Sequence, residues 1–143
     1  MQPGVMVTAD SGQGNVNIAG TDAVVSAHSD QGDVTISGGS GVLQASSDQG
    51  NVTVIRSAAA SVTVHSDQGD VAVKVTTPPK RLTASSGQGN VTVELPRGPI
   101  SYQVYTSSNQ GNVSDGVNIS PASRRVVSAS SEQGDVTVGY GSG

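Results

Sequence analysis

Carboxylate side chains flank a Gln-Gly pair at several points along the chain, as in segments 30–33 and 67–70, which both read Asp-Gln-Gly-Asp. Hard cations such as Ca²⁺ bind several oxygens at once, so stacked segments of this kind could hold calcium weakly through carboxylates and carbonyls. Gly12, Gly87 and Asn109 stand where other such segments have an acidic residue before Gln-Gly. The simpler interpretation is therefore that the acidic residues are solvated turn residues that bind no ion. The acidic residues beside the Gln-Gly pairs are Asp30, Asp33, Asp48, Asp67, Asp70, Glu132 and Asp135.

Two histidines and many serines are the other groups with chemical potential. His28 and His65 occupy equivalent outward positions two repeats apart, about 10 Å in a stack, which is too far to share one metal ion directly. Neither has a recognisable triad pattern around it, the chain has no Cys, and the serines recur as one column of the repeat. We therefore predict no enzyme activity, no catalytic residues, no cofactor and no metal site.

These residues belong to a sequence motif that occurs seven times in the chain: Ser, a variable residue, Gln, Gly, Asn or Asp, Val. The shared glycines are separated by 18, 18, 19, 20, 22 and 23 residues, a period typical of stacked repeat proteins. Residues 1–143 are predicted to form a single domain, with repeats over approximately residues 5–140. The glycines are Gly14, Gly32, Gly50, Gly69, Gly89, Gly111 and Gly134.

Alignment of the repeats on these glycines gives columns that alternate with period two, as in strands with one buried face. An aliphatic column precedes the glycine by seven residues, and the Ser column precedes it by three. A Val column follows the glycine by two residues. The Ser and Val columns are five residues apart, an odd number, so a straight strand would put them on opposite faces. We therefore predict that the chain bends at Gln-Gly, where Gly supplies a positive φ.

Two all-β architectures satisfy this parity. The preferred one is a single parallel β-solenoid of about seven turns with two short strands per turn, in which stacked Gln and Asn side chains form amide ladders. The alternative is an antiparallel β-hairpin repeat with Gln-Gly as the turn, although two-residue hairpins favour Asn-Gly or Asp-Gly. Asp115 interrupts an aliphatic column, and the segment 114–116 is expected to form a bulge or an inserted turn.

Composition excludes several function classes. The net charge is −4 from seven Lys and Arg and eleven Asp and Glu, which argues against binding a phosphate backbone, so no nucleic acid partner is expected. Apolar runs are short, and Met1-Gln2-Pro3 begins neither a signal peptide nor an anchor, so no membrane insertion by this chain is expected. The cations fall on the connections opposite the acidic corners: Arg56, Lys74, Lys80, Arg81, Arg97, Arg124 and Arg125.

The sequence was also compared with two kinds of binding surface, for ice and for glycan. An outward column after the glycine contains four Thr residues in seven positions, which is similar to the flat Thr face of some ice-binding solenoids, but Thr is also a common exposed strand residue. A glycan-binding face would carry an exposed aromatic row. The chain has no Phe and no Trp, and its three Tyr residues, Tyr102, Tyr105 and Tyr140, do not form such a row.

The repeated phrase Ser-Asp-Gln-Gly-Asp/Asn-Val-Thr-Val, with Leu95-Pro96-Arg97-Gly98-Pro99 between repeats, resembles a bacterial adhesin-like β-strand-repeat family of unknown function. The resemblance covers roughly residues 5–140. It implies a β-repeat module at the cell surface or in another extracytoplasmic location, with no known functional residues to transfer.

These observations predict a non-catalytic structural or adhesin-like β-repeat module. No polar cap covers the terminal strands in the sequence pattern, so self-association end to end is expected, as well as a cell-surface or protein partner. The alternative is a ligand-binding solenoid for glycan, calcium or ice.

Overall fold

In the residues that it describes, the computed structural model is an all-β structure of two parallel sheets with seven strands each. The structure describes residues 6–21, 24–38, 42–57, 61–75, 80–95, 102–116 and 124–140. Residues between these ranges, among them Arg97 and the proline-containing connections, lie outside the described part. The strands are β1 Met6–Gln13, β2 Val16–Thr21, β3 Val24–Gln31, β4 Val34–Gly38, β5 Val42–Gln49, β6 Val52–Ser57, β7 Ser61–Gln68, β8 Val71–Val75, β9 Arg81–Gln88, β10 Val91–Leu95, β11 Gln103–Gln110, β12 Val113–Asp115, β13 Val126–Gln133 and β14 Val136–Tyr140.

Each repeat contributes one strand to each sheet, and we number the repeats one to seven in chain order, from β1 and β2 to β13 and β14. The order in the first sheet is β1-β3-β5-β7-β9-β13-β11, and the second sheet follows the same order of repeats. Repeats one to five therefore stack in chain order. Repeat seven then packs directly on repeat five, and repeat six lies outside it, at the end of the stack.

The core lies between the two sheets and is aliphatic. Val25, Leu43 and Val62 are fully buried on one sheet, and Val34, Val52 and Val71 face them from the other. Alternate residues along the interior strands point outward, as the alternating burial of β7 and β9 shows. The chain reverses between the two strands of each repeat at Gln-Gly, so both the Ser column and the Val column reach the interior. The predicted bend is therefore confirmed.

The parallel pairing confirms the β-solenoid and its two strands per turn, and it shows that the antiparallel hairpin alternative was wrong. About five turns form a regular solenoid in chain order, so the expectation of about seven turns is not confirmed; the last two repeats are stacked in inverted order. The expected bulge at 114–116 was also wrong. Asp115 pairs in register with Val138, and β12 lies at the edge of its sheet, where a carboxylate contacts solvent.

Candidate functional site

The Gln-Gly corners stack on one another and require glycine for two reasons. Each corner glycine has φ between 131° and 152°, a region that L-residues with a side chain rarely adopt. A Cβ atom on Gly32, Gly50 or Gly69 would also lie 2.1–2.2 Å from the carbonyl oxygen of the glycine in the preceding repeat. The repeats can therefore approach closely at the corner only because no side chain intervenes.

Five residues of the Ser column next to the corners are buried, and their hydroxyl groups form hydrogen bonds within the same stack. Ser29, Ser47 and Ser66 are fully buried, and each hydroxyl donates to the carbonyl oxygen of the corner glycine in the neighbouring repeat at 2.8–3.0 Å. A buried hydroxyl without such a partner would cost about 1–3 kcal/mol. The column is therefore explained by packing and leaves these hydroxyl groups engaged in the scaffold.

A second ladder runs through the residue after each corner glycine. The side-chain Oδ1 of Asn15 accepts a bond from the backbone N–H of Asp33 at 3.0 Å, and Oδ1 of Asp33 accepts from the N–H of Asn51 at 3.0 Å. The same contact recurs at every further step of the stack, at 2.8–3.0 Å. These bonds differ from the predicted amide ladder of stacked Gln and Asn side chains, because each joins a side-chain oxygen to a backbone N–H and Asn alternates with Asp.

The alternation of Asn and Asp holds only in the inverted order of the last two repeats. In chain order the column places Asn90 next to Asn112, whereas in the stack Asp135 lies between them and bonds both. Strict alternation keeps carboxylates two steps apart, about 9–10 Å, where water screens their repulsion well. Chain order would keep the carboxylates at least as far apart, so charge spacing is compatible with the observed order without selecting it. The stack reads Asn15, Asp33, Asn51, Asp70, Asn90, Asp135, Asn112.

The stack has two ends, which we call the first end (β1 and β2) and the second end (β11 and β12), and no described strand covers either of them. Inside the stack, the corner Gly N–H and the following Val N–H donate to carbonyls of the next repeat toward the second end, as from Gly14 to Gln31 and from Val16 to Asp33, both at 2.8 Å. At the second end, the equivalent N–H groups of Gly111 and Val113 have no acceptor among the described residues.

The second end also exposes apolar surface. Val113 is 42% exposed, whereas Val136, the equivalent residue one repeat further in, is fully buried. Tyr105 on the neighbouring strand is 61% exposed. Asp115 lies two residues beyond Val113 and places a carboxylate at the same edge. This end therefore combines unfilled backbone donors, an exposed apolar side chain and one negative charge.

Each histidine bridges a Ser and an Asp, an arrangement that sequence reasoning missed. Nδ1 of His28 lies 2.8 Å from Oγ of Ser46, and Nε2 lies 2.8 Å from Oδ1 of Asp30. His65 contacts Ser85 and Asp67 in the same way. The available signal was His and Asp two residues apart on one strand, with Ser at the His position of the next repeat. The grouping contains the side chains of a hydrolase triad, with Ser on Nδ1 and Asp on Nε2.

The first of these groups gains a third potential metal ligand from the next repeat. Ligand atoms of His28, Asp30 and Asp48 all lie within 4.8 Å of one another, and within the described ranges no other group of this kind is found. His65 and Asp67 have Gly87 where the first group has Asp48. A Cβ on Gly87 would lie 2.7 Å from the Asp67 carbonyl oxygen, so a side chain does not fit there. The two histidines therefore differ in their capacity to hold a cation.

Other predicted surfaces are placed as follows. A shallow polar groove of about 440 Å³ crosses the outer face of the first sheet beside Gly87, lined by His65, Ser85, Ser130 and Glu132 among others. The Thr column lies on the outer face of the second sheet, and its three other positions are Asn17, Ala72 and Ser114. Lys74 forms an ion pair with Glu94 at 3.2 Å on that sheet, away from the corners.

The family model of Toastrack DUF4097 matches residues 4–139, nearly the whole chain. The chain belongs to the Toastrack DUF4097 family. This confirms the predicted membership in a β-repeat family of unknown function, and the stacked corners described above are the feature that the match covers from end to end. No curated protein and no solved structure matches the chain.

Membership in Toastrack DUF4097 assigns no site residues, so the candidate surfaces of this chain follow from its own geometry. Within the described residues, no helix has the length and apolar character needed to cross a membrane. Three features stand out in this Toastrack chain: the open ends, the group around His28, and the related group around His65.

Proposed function

We propose that this chain is a non-catalytic structural module that associates through the open ends of its solenoid. The observation that carries the proposal is the second end, where the N–H groups of Gly111 and Val113 lack described acceptors and Val113 is 42% exposed. Unpaired strand edges of this kind template pairing with another chain. Repeats six and seven extend the regular solenoid to seven turns in this proposal. As an adhesin-like module, the same solenoid would present its outer faces to a cell-surface partner.

The chemistry of the Ser-His-Asp groups supports a non-catalytic role. Ser46 and Ser85 lie in the middle of strands whose backbone groups pair with neighbouring strands, so the N–H donors that would stabilise an oxyanion are already engaged. We expect no hydrolysis of a nitrophenyl ester above the buffer rate. A rate above the buffer rate that disappears when Ser46 and Ser85 are both replaced by Ala would contradict this.

Sedimentation velocity across a concentration series tests the association. We expect the mean sedimentation coefficient to rise with concentration, because each added contact fills unpaired backbone groups. A Thr92→Ala variant, changed on an exposed face in the middle of the stack, should associate like the wild type. A strict monomer over the whole range would overturn the proposed association.

A second candidate function is weak binding of a divalent cation at His28, Asp30 and Asp48. The observation that favours it is the convergence of three ligand atoms within 4.8 Å at the surface. One imidazole and two carboxylates suit Zn²⁺ better than Ca²⁺, which prefers more oxygen ligands. This candidate replaces calcium binding along all the acidic residues beside the Gln-Gly pairs with cation binding at one group.

Calorimetric titration with Zn²⁺ and with Ca²⁺ distinguishes a cation site from exposed side chains that bind no ion. We expect Zn²⁺ binding at one site, lost in Asp48→Asn and retained in His65→Ala, because the His65 group lacks the third ligand. Equal binding by Asp48→Asn and wild type would exclude the site, as would equal loss in the two variants.

A further inference from the structure

Every step between neighbouring corners has the same polarity. Toward the second end, a repeat presents its corner N–H donors, its glycine carbonyl and its Asn or Asp Oδ1. Toward the first end, a repeat presents the matching acceptors and donors. The step from repeat one to repeat two shows all four bonds: Gly14 N–H to Gln31 O, Val16 N–H to Asp33 O, Ser29 Oγ–H to Gly14 O, and Asp33 N–H to Asn15 Oδ1.

The two ends of the stack therefore present complementary halves of one such step. In the described part of the chain, the second end has unfilled donors at Gly111 N–H and Val113 N–H and unfilled acceptors at Gly111 O and Asn112 Oδ1. The first end offers the carbonyls of Gln13 and Asn15 to those donors. It offers the Ser11 hydroxyl and the Asn15 N–H to those acceptors.

We propose that the partner at each end is a second copy of this chain, joined head to tail, with the second end of one copy on the first end of the next. This inference rests on the proposed association through the ends and adds its partner and its polarity. The junction repeats the four corner bonds of an interior step and continues both parallel sheets. A contact between two different surfaces that does not close on itself generates an open filament.

Steric and charge features of the corners favour this junction. A Cβ on Gly14 would meet only Oγ of Ser11, at 3.6 Å, where other corner glycines meet a carbonyl oxygen at 2.1–2.2 Å, so the first end can receive Gly111 of another copy. Asn15 and Asn112 would meet at the junction, which avoids adjacent carboxylates in that ladder. The column two residues before the corner glycine also ends in uncharged residues, Gly12 and Asn109.

Asp115 limits the strength of the junction. In the head-to-tail register, Val113 pairs with Val16 and Asp115 comes to lie over Ile18, which is 9% exposed in the single chain. A carboxylate facing an aliphatic side chain must lose hydration without gaining a partner. Charged residues at a sheet edge are a common restraint on uncontrolled growth. We therefore expect association to be reversible in the wild type.

Cysteine cross-linking tests the polarity, because the chain has no native Cys. Asn17 and Ser114 are exposed on the outer face of the second sheet, and the head-to-tail register makes them neighbours across the junction. Parallel neighbours about 4.8 Å apart fall within the Cα separations that a disulfide spans. Under mild oxidation, we expect a mixture of Asn17→Cys and Ser114→Cys chains to give covalent dimers and the double variant to give a ladder of multimers.

Each single variant alone should remain unlinked, because two copies of one end do not meet. The matched control replaces Ser114→Cys by Thr137→Cys, an exposed position one repeat further from the second end, and should not link to Asn17→Cys. Dimers from either single variant would show head-to-head contact and overturn the polarity. So would cross-linking of the mixture no better than the control. A wild type that stays monomeric in sedimentation would instead overturn the proposed association itself.

Two variants at the second end test the junction in opposite directions. Val113→Pro removes an N–H that has no described acceptor within the chain, and proline is tolerated in edge strands. We expect it to weaken association at least tenfold with the circular dichroism spectrum unchanged. Asp115→Val should strengthen association at least tenfold. No change in either variant would contradict the assigned junction.

Discussion

Repeat six and repeat seven carry the same Gln-Gly corner, yet one forms the second end of the stack and the other lies inside it. In repeat seven, Val136 and Val138 are buried between the sheets. In repeat six, Val113 is largely exposed and Asp115 replaces the second valine. The difference shows that the position of a repeat in the stack is matched to its composition. A repeat with a charge in the core column is compatible only with an end.

Cross-linking within the chain provides the largest contrast between the two repeats. Thr83 pairs with Ser128 of repeat seven in the observed order, and Ser128 pairs in turn with Tyr105 of repeat six. We expect Thr83→Cys/Ser128→Cys to form an intramolecular disulfide in high yield under dilute conditions. Thr83→Cys/Tyr105→Cys, whose residues are two strands apart, should not. Peptide mapping after oxidation distinguishes them, and the reverse result would mean that the repeats stack in chain order.

Exchange of the core residue between the repeats should have the next largest effect. Val138→Asp places a carboxylate beside Val93, inside the aliphatic core, and an uncompensated buried charge costs about 3–5 kcal/mol. Asp115→Val changes the equivalent exposed residue and should alter the free energy of unfolding by less than about 0.5 kcal/mol. Urea denaturation at low protein concentration measures both. Equal destabilisation by the two variants would contradict the assignment of repeat six to the end.

A smaller effect is expected where the Asn and Asp ladder joins the two repeats. Asn112→Asp puts a carboxylate next to Asp135, and two charges about 4.8 Å apart repel by about 1 kcal/mol in water. We expect a loss of this size at low ionic strength that largely disappears in 1 M NaCl. The double variant Asn112→Asp/Asp135→Asn moves the charge without creating a neighbouring pair and should regain the lost stability. Destabilisation that does not depend on salt would argue against charge repulsion as the cause.

The repeat columns were sufficient to predict what happens within one repeat. Odd spacing between the Ser and Val columns required a bend at Gln-Gly, and the positive φ of the corner glycines confirms it. The columns could not reveal which repeats are neighbours, because every repeat offers the same interior pattern to either side. One signal for the inverted order was present nonetheless, because Asp115 marks repeat six as unsuitable for the interior. The alternation of Asn and Asp accompanies the inverted order but does not require it.

Candidate sites were harder to predict because they form between repeats. The group of His28, Asp30 and Asp48 combines two residues of one strand with one from the next, so no contiguous motif describes it. The same is true of the contact between His28 and Ser46. By contrast, the open ends were predictable in principle, since a stack of strands has edges by construction. The complementary hydrogen-bonding groups of the two ends became apparent only when the structure showed which repeat donates and which accepts each bond.

The inverted order of the last two repeats also affects how the chain can fold during synthesis. Repeats one to five can each add to a neighbour that has already emerged, one at a time. Repeat six cannot do so, because β11 and β12 pair with β13 and β14, which are made later. Repeat six can therefore take its place only after repeat seven has packed on repeat five. The last step of assembly thus runs backwards along the chain, from repeat seven to repeat six.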